Sequence, residues 1–265
     1  GARELIDLNL GGTLNCLEFA RTRGARLVFL STSRVYPIAD LRALPLEEHG
    51  TRLALKPGAT GAGWSAAGVT TAFPLGGSRS LYGATKLASE LFVLEYAATL
   101  GVEAVINRCG VLSGSWQMGK VDQGFLTLWA ARHMYGGALS YQGFGGRGLQ
   151  VRDVLHVEDL HDLLTIQLAD FDRHNGRTYN VGGGVSNAVS LQEATALCAA
   201  ATGCSLNIGS TPETHPADIP WYVTDNADVT AATGWAPRRS VAEIVGEIAT
   251  WLRENRAMLE PVLGR

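Results

Sequence analysis

Leu27-Val-Phe-Leu30 is an unbroken apolar run, the pattern of a strand buried on both faces rather than one. The spacing ahead of it predicts a helix over 3–23, and the run itself marks a strand over 26–31. A second helix over 82–100 ends at Gly101, a residue type that closes helices in the left-handed conformation. Val102 to Asn107 reads as the next strand. Strand, long helix, strand is the order of a crossover between parallel neighbours, so the chain predicts a doubly wound parallel sheet of the α/β class. Between 40 and 80 the pattern dissolves into Gly, Ala and Pro, and a long loop that caps a ligand or moves is expected. Farther on, helices are expected near 123–135, 159–169, 190–202 and 241–256. Two of them open on capping boxes, Ser190-x-x-Glu193 and Ser240-x-x-Glu243. No internal repeat or low-complexity tract interrupts the chain.

Composition narrows the classes. With 265 residues, 46% hydrophobic and 18% charged, the chain has the interior-to-surface balance of a globular enzyme. A formal net charge of −3 argues against nucleic acid or an anionic membrane as the main partner. No apolar run approaches the roughly 18 residues of a membrane span, and no signal peptide is visible. Cys16, Cys109, Cys198 and Cys204 show no C-x-x-C spacing, so reduced thiols and a cytoplasmic location are expected.

The candidate chemistry begins at Ser31-Thr32-Ser33, three hydroxyls at the carboxyl end of the first strand, where open parallel sheets take their ligands. On the 82–100 helix, Tyr82 and Lys86 stand four apart and share a face. A phenol with a pKa near 10 is a poor base at neutral pH, but an adjacent ammonium, or a cationic nicotinamide ring, favours the phenolate. Thr32 can hydrogen-bond the same substrate oxygen and fix its direction. Thr32, Tyr82 and Lys86 together form a device for taking a proton from a carbinol while its hydride leaves to a cofactor. A Tyr/Lys pair alone is also a common surface pair worth a few tenths of a kcal/mol. The hydroxyl-rich strand end is what favours catalysis.

Other groupings carry less. His156, Glu158, Asp159, His161 and Asp162 are metal-ligand types in one window. Asp159 is expected to cap the helix that follows, and His156 lies in an apolar strand-like run, so no metal is expected. Gly143-Phe-Gly145-Gly-Arg-Gly148 fits a G-x-G-x-x-G expression, yet a strand-like run follows where a helix should open, and a loop is expected. Gly63-Trp-Ser65 lacks the strand-turn-helix setting of a nucleophile elbow. Trp129, Trp221 and Trp251 read as core or interface residues rather than base-stacking platforms.

The chain resembles, nearly end to end, the extended short-chain dehydrogenase/reductases, the NAD-dependent nucleotide-sugar epimerases and dehydratases. Asn9-Leu-Gly-Gly-Thr13-Leu-Asn is similar to the family's helix opening before its catalytic strand. Arg152-Asp-Val-Leu-His156-Val-Glu-Asp159 resembles its substrate-phosphate segment. Tyr179-Asn-Val-Gly182-Gly183 and Gly234-Trp-Ala-Pro237 resemble its late landmarks. Phe73 to Tyr82, Val121-Asp-Gln123-Gly124, Gln150 to His156 and Pro216-Ala-Asp218-Ile219 narrow the likeness to CDP-paratose/CDP-tyvelose 2-epimerase-like proteins.

The resemblance implies a Rossmann-like doubly wound parallel sheet with a smaller C-terminal α/β substrate-binding region. Residues 1–110 would be the C-terminal part of the NAD-binding domain. Residues 111–265 would mainly bind substrate, with some elements returning to the sheet. The implied activity is epimerisation of a nucleotide sugar at C2 through a transient keto sugar, with epimerisation at C4 as the alternative on the same machinery. A 4,6-dehydratase needs an acid and a base after the Thr, which the family supplies as Asp-Glu; Ser33-Arg34 cannot replace them. A non-catalytic nucleotide sensor would need no intact Thr32/Tyr82/Lys86 set. NAD contacts are implied for Asn9, Thr32, Tyr82, Lys86, Cys109 and Gly110, and substrate contacts for Gln123, Gln150, Arg152 and Asp218. A homodimer or higher homo-oligomer through a helix pair that includes 82–100 is also implied.

Two departures stand out. The family carries a Gly-rich phosphate turn in its first βαβ unit, and nothing like it precedes Asn9. The resemblance therefore implies about 80 to 100 further residues ahead of this point. His215 stands where Arg is implied before Pro-Ala-Asp. A mostly neutral imidazole offers one donor in place of a bidentate guanidinium, so Arg152 is expected to carry more of the phosphate charge.

Overall fold

The computed structural model describes residues 1–119 and 124–264. Helices α1 (Ala2–Ile6) and α2 (Gly12–Arg23) flank a single π turn, Asp7–Gly11, where the sequence predicts one regular helix. Strand β1 (Leu27–Thr32) follows, and Thr32 Oγ1 accepts the Arg34 N–H at 3.2 Å to cap a short turn, Ser33–Val35.

The expected loop over 40–80 is largely structured. It holds α3 (Ile38–Arg42), the hairpin of β2 (Leu46–His49) and β3 (Arg52–Leu55), and the hairpin of β4 (Trp64–Ser65) and β5 (Gly68–Val69). Leu41, Leu44, Val69 and Phe73 are buried around Tyr36 and Tyr222, and the Leu53 N–H donates to the Leu149 carbonyl at 2.8 Å. Strands of two to four residues carry too few alternations to register as a period, which is why this order was not visible in the chain. Helix α4 (Leu81–Leu100) begins at Ser80, whose Oγ accepts the Gly83 N–H, and stops at Gly101 with φ 71°. Strand β6 (Ala104–Cys109) follows.

Beyond it lie β7 (Val111–Ser113), α5 (Phe125–Tyr135), β8 (Ser140–Gln142), β9 (Val151–His156) and α6 (Val157–Ala169). Asp159 does not cap α6. Strand β9 runs straight into the helix, so His156 takes the cap position and its Nδ1 accepts the Glu158 N–H at 3.1 Å. Asp159 is buried one turn in, where it accepts the backbone N–H groups of Arg238 and Arg239 and the Arg239 guanidinium. Then come α7 (Phe171–His174), β10 (Thr178–Val181), β11 (Ala188–Ser190), α8 (Leu191–Thr202), β12 (Gly209–Thr211) and β13 (Trp221–Tyr222). Helices α9 (Ala227–Thr233), α10 (Val241–Glu254) and α11 (Arg256–Leu263) complete the chain. Both capping boxes form, at Ser190/Glu193 and Ser240/Glu243. The glycine-rich stretch at 143–148 is a turn, with no helix opening on it.

Strands β1, β6 and β10 form a parallel sheet in the order β1-β6-β10. Successive side chains point to opposite faces, so one apolar run feeds two cores. Phe29 and Ile106 pack with Leu17 of α2 and Val93 of α4, while Val105 and Val181 pack with Leu160 and Leu163 of α6 and Val229 of α9. Helices on both faces of a parallel sheet make this a Rossmann-like α/β fold. A second sheet centres on β9, which pairs with β7 and β13 in parallel and with β11 antiparallel. Against it α5, α8, α10 and α11 enclose a core that includes Trp129, Cys198, Ile248 and Trp251. Trp221 is buried in the cluster around Tyr36.

Candidate active site

The carboxyl ends of β1 and β6 open into a cleft of about 700 Å³. Thr32, Tyr82, Cys109, Gly110, Gln150, Arg152 and Asp218 all contribute to its wall. Asn9 and Lys86 are not among the residues that line it. Asn9 Nδ2 donates to Thr85 Oγ1 at 3.0 Å, tying the π turn to α4. Lys86 Nζ donates to the Leu30 carbonyl at 2.7 Å and sits 4.1 Å from the centre of the Phe29 ring. Gln123 lies outside the described residues. Among those described, no group of three His, Cys, Asp or Glu residues has the geometry to hold a metal ion.

Tyr82 occupies the first turn of α4, pressed onto the Ser33–Val35 turn. A Cβ on Gly83 would stand 2.1 Å from the Arg34 carbonyl oxygen, so only glycine lets the helix approach this closely. Burial pushes the Tyr82 phenol above its usual pKa; the Thr32 hydroxyl pulls it back, Cys109 opposes that, and the Arg34 guanidinium pulls it back further. The long Lys86 stem turns its ammonium onto the β1 backbone, and burial lowers its own pKa. The buried Cys109 thiol is pushed up to about 12, which leaves it protonated and inert at neutral pH.

The cleft also carries three guanidiniums, those of Arg34, Arg132 and Arg152. Arg152 donates to Asp218 Oδ1 at 2.9 Å, to the Ile219 carbonyl at 2.7 Å and to the Val151 carbonyl at 2.8 Å. Burial pulls it down to about 10, with Asp218 opposing and Arg34 adding to the fall, so it stays cationic at pH 7. Arg34 Nη1 donates to the Ala217 carbonyl at 3.2 Å, and Arg42 donates to the carbonyls of Asp218 and His215, each at 2.9 Å. Three arginines thus cinch the segment 215–219. His215 serves the turn itself, its Nδ1 accepting the Ala217 N–H at 3.1 Å. Gln150 Nε2 donates to the Gln142 carbonyl at 2.8 Å, and among the described residues Gln150 Oε1 and Arg132 Nε are buried without a partner. An orphaned buried polar group costs about 1–3 kcal/mol, and a ligand in the cleft would relieve it.

A polar seam fixes α4 from behind. The Glu90 carboxylate accepts from Ser31 Oγ and from Arg108 Nη2 at 2.7 Å, while Arg108 Nη1 donates to the Tyr36 hydroxyl at 3.2 Å. That hydroxyl donates to Asn180 Oδ1 at 2.7 Å, and Asn180 Nδ2 donates to the Val69 carbonyl at 2.9 Å. Burial alone would lower Arg108, but Glu90 and Tyr36 raise it above its ordinary value. Glu90 is one turn beyond Lys86, so the seam sets the register of the helix that carries Tyr82. Sequence reasoning did not single out this seam, nor Arg132, Gln142 or Phe125 on the cleft wall, and it read Trp129, which also lines the cleft, as core or interface. Only Arg34 left a local signal, two residues after Thr32.

Residues 1–182 match the NAD dependent epimerase/dehydratase family. Over 250 residues the chain is 29% identical to the CDP-paratose 2-epimerase of Salmonella typhi, a match spanning 93% of this chain and 71% of that protein. In three dimensions it is similar to the UDP-glucose 4-epimerase of Thermus thermophilus in complex with NAD, with a TM-score of 0.71 and 25% identity over 93% of this chain and 70% of the other. The fold is also that of the dTDP-glucose 4,6-dehydratase of Streptomyces venezuelae solved with NAD, at a TM-score of 0.75 and 24% identity over 99% and 70% of the two chains. The family match takes in β1, β6 and β10 of the first sheet and ends at Gly182, before β11 and β13 of the second. This chain belongs to the NAD dependent epimerase/dehydratase family.

Proposed function

We propose that this protein is an NAD-dependent nucleotide-sugar epimerase acting at C2, with a CDP-sugar as its first candidate substrate. The observation that carries the reading is the presence of Thr32 and Tyr82 in one cleft with the guanidiniums of Arg34, Arg132 and Arg152. In this reading residues 1–110 hold the cofactor and 111–265 mainly hold the sugar nucleotide. The residues fit a nicotinamide ribose: Thr32, Tyr82 and Gly110 line the strand ends, and the Lys86 ammonium is held at the Leu30 carbonyl near the end of β1. Bound there, NAD would supply a hydride acceptor that later returns the hydride to the sugar.

Tyr82 as phenolate takes the proton from the sugar hydroxyl, which Thr32 holds in line. Arg152, Arg34 and Arg132 face the diphosphate; with Asp218 paired to Arg152, the wall keeps a net positive charge suited to an anion. The cleft has the size of a pocket for a whole small-molecule ligand, which leaves room for a keto sugar to turn and present its other face. Ser33-Arg34 in place of an acid and a base speaks for epimerisation over dehydration. Similarity to the CDP-paratose 2-epimerase favours C2; the likeness to the UDP-glucose 4-epimerase favours the second reading, inversion at C4.

Incubation with NAD and CDP-, UDP- or dTDP-sugars, followed by NMR of the products, identifies the inverted carbon. Tyr82→Phe should lower kcat by about 100-fold or more while leaving the Kd for the sugar nucleotide within about two-fold. A wild-type protein that binds the nucleotide but yields no product with any of these sugars would instead be a sensor. As to assembly, we assign a homodimer: Phe19 on α2 and Leu91, Phe92 and Leu94 on α4 are exposed on two helices that pack side by side. Free thiols at Cys16, Cys109, Cys198 and Cys204 suit a reducing cytoplasm. Among the described residues no helix is long and apolar enough to cross a membrane.

A further inference from the structure

We propose that Glu247 on α10 is a positioning residue for the nucleotide sugar: its carboxylate latches the segment after β7 that shapes one wall of the cleft. The inference rests on the reading of the cleft as a nucleotide-sugar site. Ser115 follows β7, and both its Oγ, at 2.8 Å, and its backbone N–H, at 3.4 Å, donate to Glu247 Oε1. The second oxygen, Oε2, lies 2.9 Å from His156 Nε2. His156 ends β9, the strand that carries Gln150 and Arg152. Its Nδ1 accepts the Glu158 N–H, which puts the ring proton on Nε2, the nitrogen beside the carboxylate. The contact is close but out of line with the N–H, and buried Nε2 has no aligned partner among the described residues. One carboxylate thus reaches the outgoing ends of two strands whose other residues line the cleft.

The same segment is gripped a second time. Trp116 has φ 68°, a conformation disfavoured for an aromatic residue, and its ring centre lies 5.7 Å from that of Trp251, one turn beyond Glu247. Gly114 permits the approach, since a Cβ there would stand 2.9 Å from Val157 Cγ1. The segment then delivers Gln117 to the cleft wall. Gln117 Nε2 donates to the Leu112 carbonyl at 3.1 Å, and Oε1 accepts from Ser113 Oγ and Thr127 Oγ1, each at 3.4 Å. A Cβ on Gly124 would stand 3.0 Å from Gln117 Cδ, so the amide lies against the start of α5. Phe125, Trp129 and Arg132 of that helix line the same wall. The line of contacts therefore runs from Glu247 through Ser115 and Gln117 to α5. An exposed carboxylate contributes little to stability as a rule, and the use of this one lies in what it holds still. Thr32 and Tyr82 belong to the other sheet and its helix, so slack in this wall loosens the substrate without disturbing proton transfer.

Calorimetric titration with CDP, UDP and dTDP, paired with hydrogen exchange of the peptide that contains Ser115, tests this. Glu247→Ala should speed exchange at that peptide and raise the Kd for the nucleotide that binds best by about 10-fold, the scale of a small misplacement. With the matching sugar nucleotide KM should rise in step, while kcat stays within about two-fold. Ser115→Ala should act in the same direction, and adding it to Glu247→Ala should cost little more, because the two share one interaction. Glu247→Asp, which keeps both oxygens, should recover part of the loss. Unchanged exchange in Glu247→Ala means that there is no latch and overturns the proposal. Faster exchange with an unmoved Kd overturns it too, since the segment would then be held without bearing on the cleft. A fall in kcat alone does the same. Wild-type protein that binds a nucleotide yet epimerises no sugar sinks the epimerase reading and leaves the Kd comparison decisive here. Wild-type protein that binds none of the three nucleotides overturns both.

Discussion

At Glu90 and Arg108 two opposite charges are held almost without solvent, with side chains 2% and 7% exposed. Removing one partner strands the other in a low dielectric, at a cost of about 3–5 kcal/mol. Glu90→Gln should therefore lower the unfolding free energy measured in urea by that amount, and Glu90→Gln/Arg108→Met should recover part of it. Equal losses in the single and double variants would mean that the pair makes no coupled contribution. Residues of this kind were illegible in the chain, because Glu90, Arg108, Tyr36 and Asn180 meet only once four elements are assembled. Thr32 and Tyr82 were legible for the opposite reason. One stands at a strand end and the other at a helix start, and local spacing marks both.

The helices and strands were readable where a local device writes them. Ser190/Glu193 and Ser240/Glu243 close their boxes as the pattern predicts, and Gly101 ends α4. Where tertiary contacts choose the boundary the reading slipped, as at Asp159, which is drawn inward by Arg238 and Arg239 instead of capping α6. Glycines show the same division and permit a paired test. A Cβ on Gly182, at the end of β10, would stand 2.2 Å from Thr224 Oγ1 and 2.3 Å from Asp153 Oδ2. Gly246, inside α10, has nothing within 4 Å. Gly246→Ala should raise stability by about 0.5–1 kcal/mol through helix propensity. Gly182→Ala should lower it by about 1–3 kcal/mol through overpacking. Thermal melts of both variants check the pair; if the two moved together, helix propensity and packing would not be what separates these sites.

For the whole molecule, the parallel sheet was legible from the strand, long helix, strand order. The expected burial of β1 on both faces is not met, since β1 is an edge strand here, with Phe29 buried and Leu30 40% exposed. Closure of the second half over the cleft was not legible, since it brings Arg34 to Ala217 and Arg152 to Asp218 across long stretches of sequence. The proposed dimer predicts that Leu91→Glu, a change at a site 59% exposed, shifts the mass seen by light scattering to that of a monomer without lowering the melting temperature of the fold. Alkaline stability tests the interior. Burial raises the phenols of Tyr36 and Tyr222 above their ordinary pKa near 10, Tyr222 most strongly. An unfolded chain loses these protons near pH 10, whereas the folded one keeps them to higher pH. The stability they contribute is therefore complete below pH 10 and is lost as pH climbs through the raised values. Tyr222→Phe removes the largest such dependence at little cost at pH 7, because its hydroxyl has no hydrogen-bond partner among the described residues. The midpoint of alkaline unfolding, followed by circular dichroism, should rise in this variant. Tyr36→Phe should instead lose stability at every pH, since it severs the links to Asn180 and Arg108. A Tyr222→Phe midpoint at or below that of the wild type would show that this phenol is not what limits the fold in alkali.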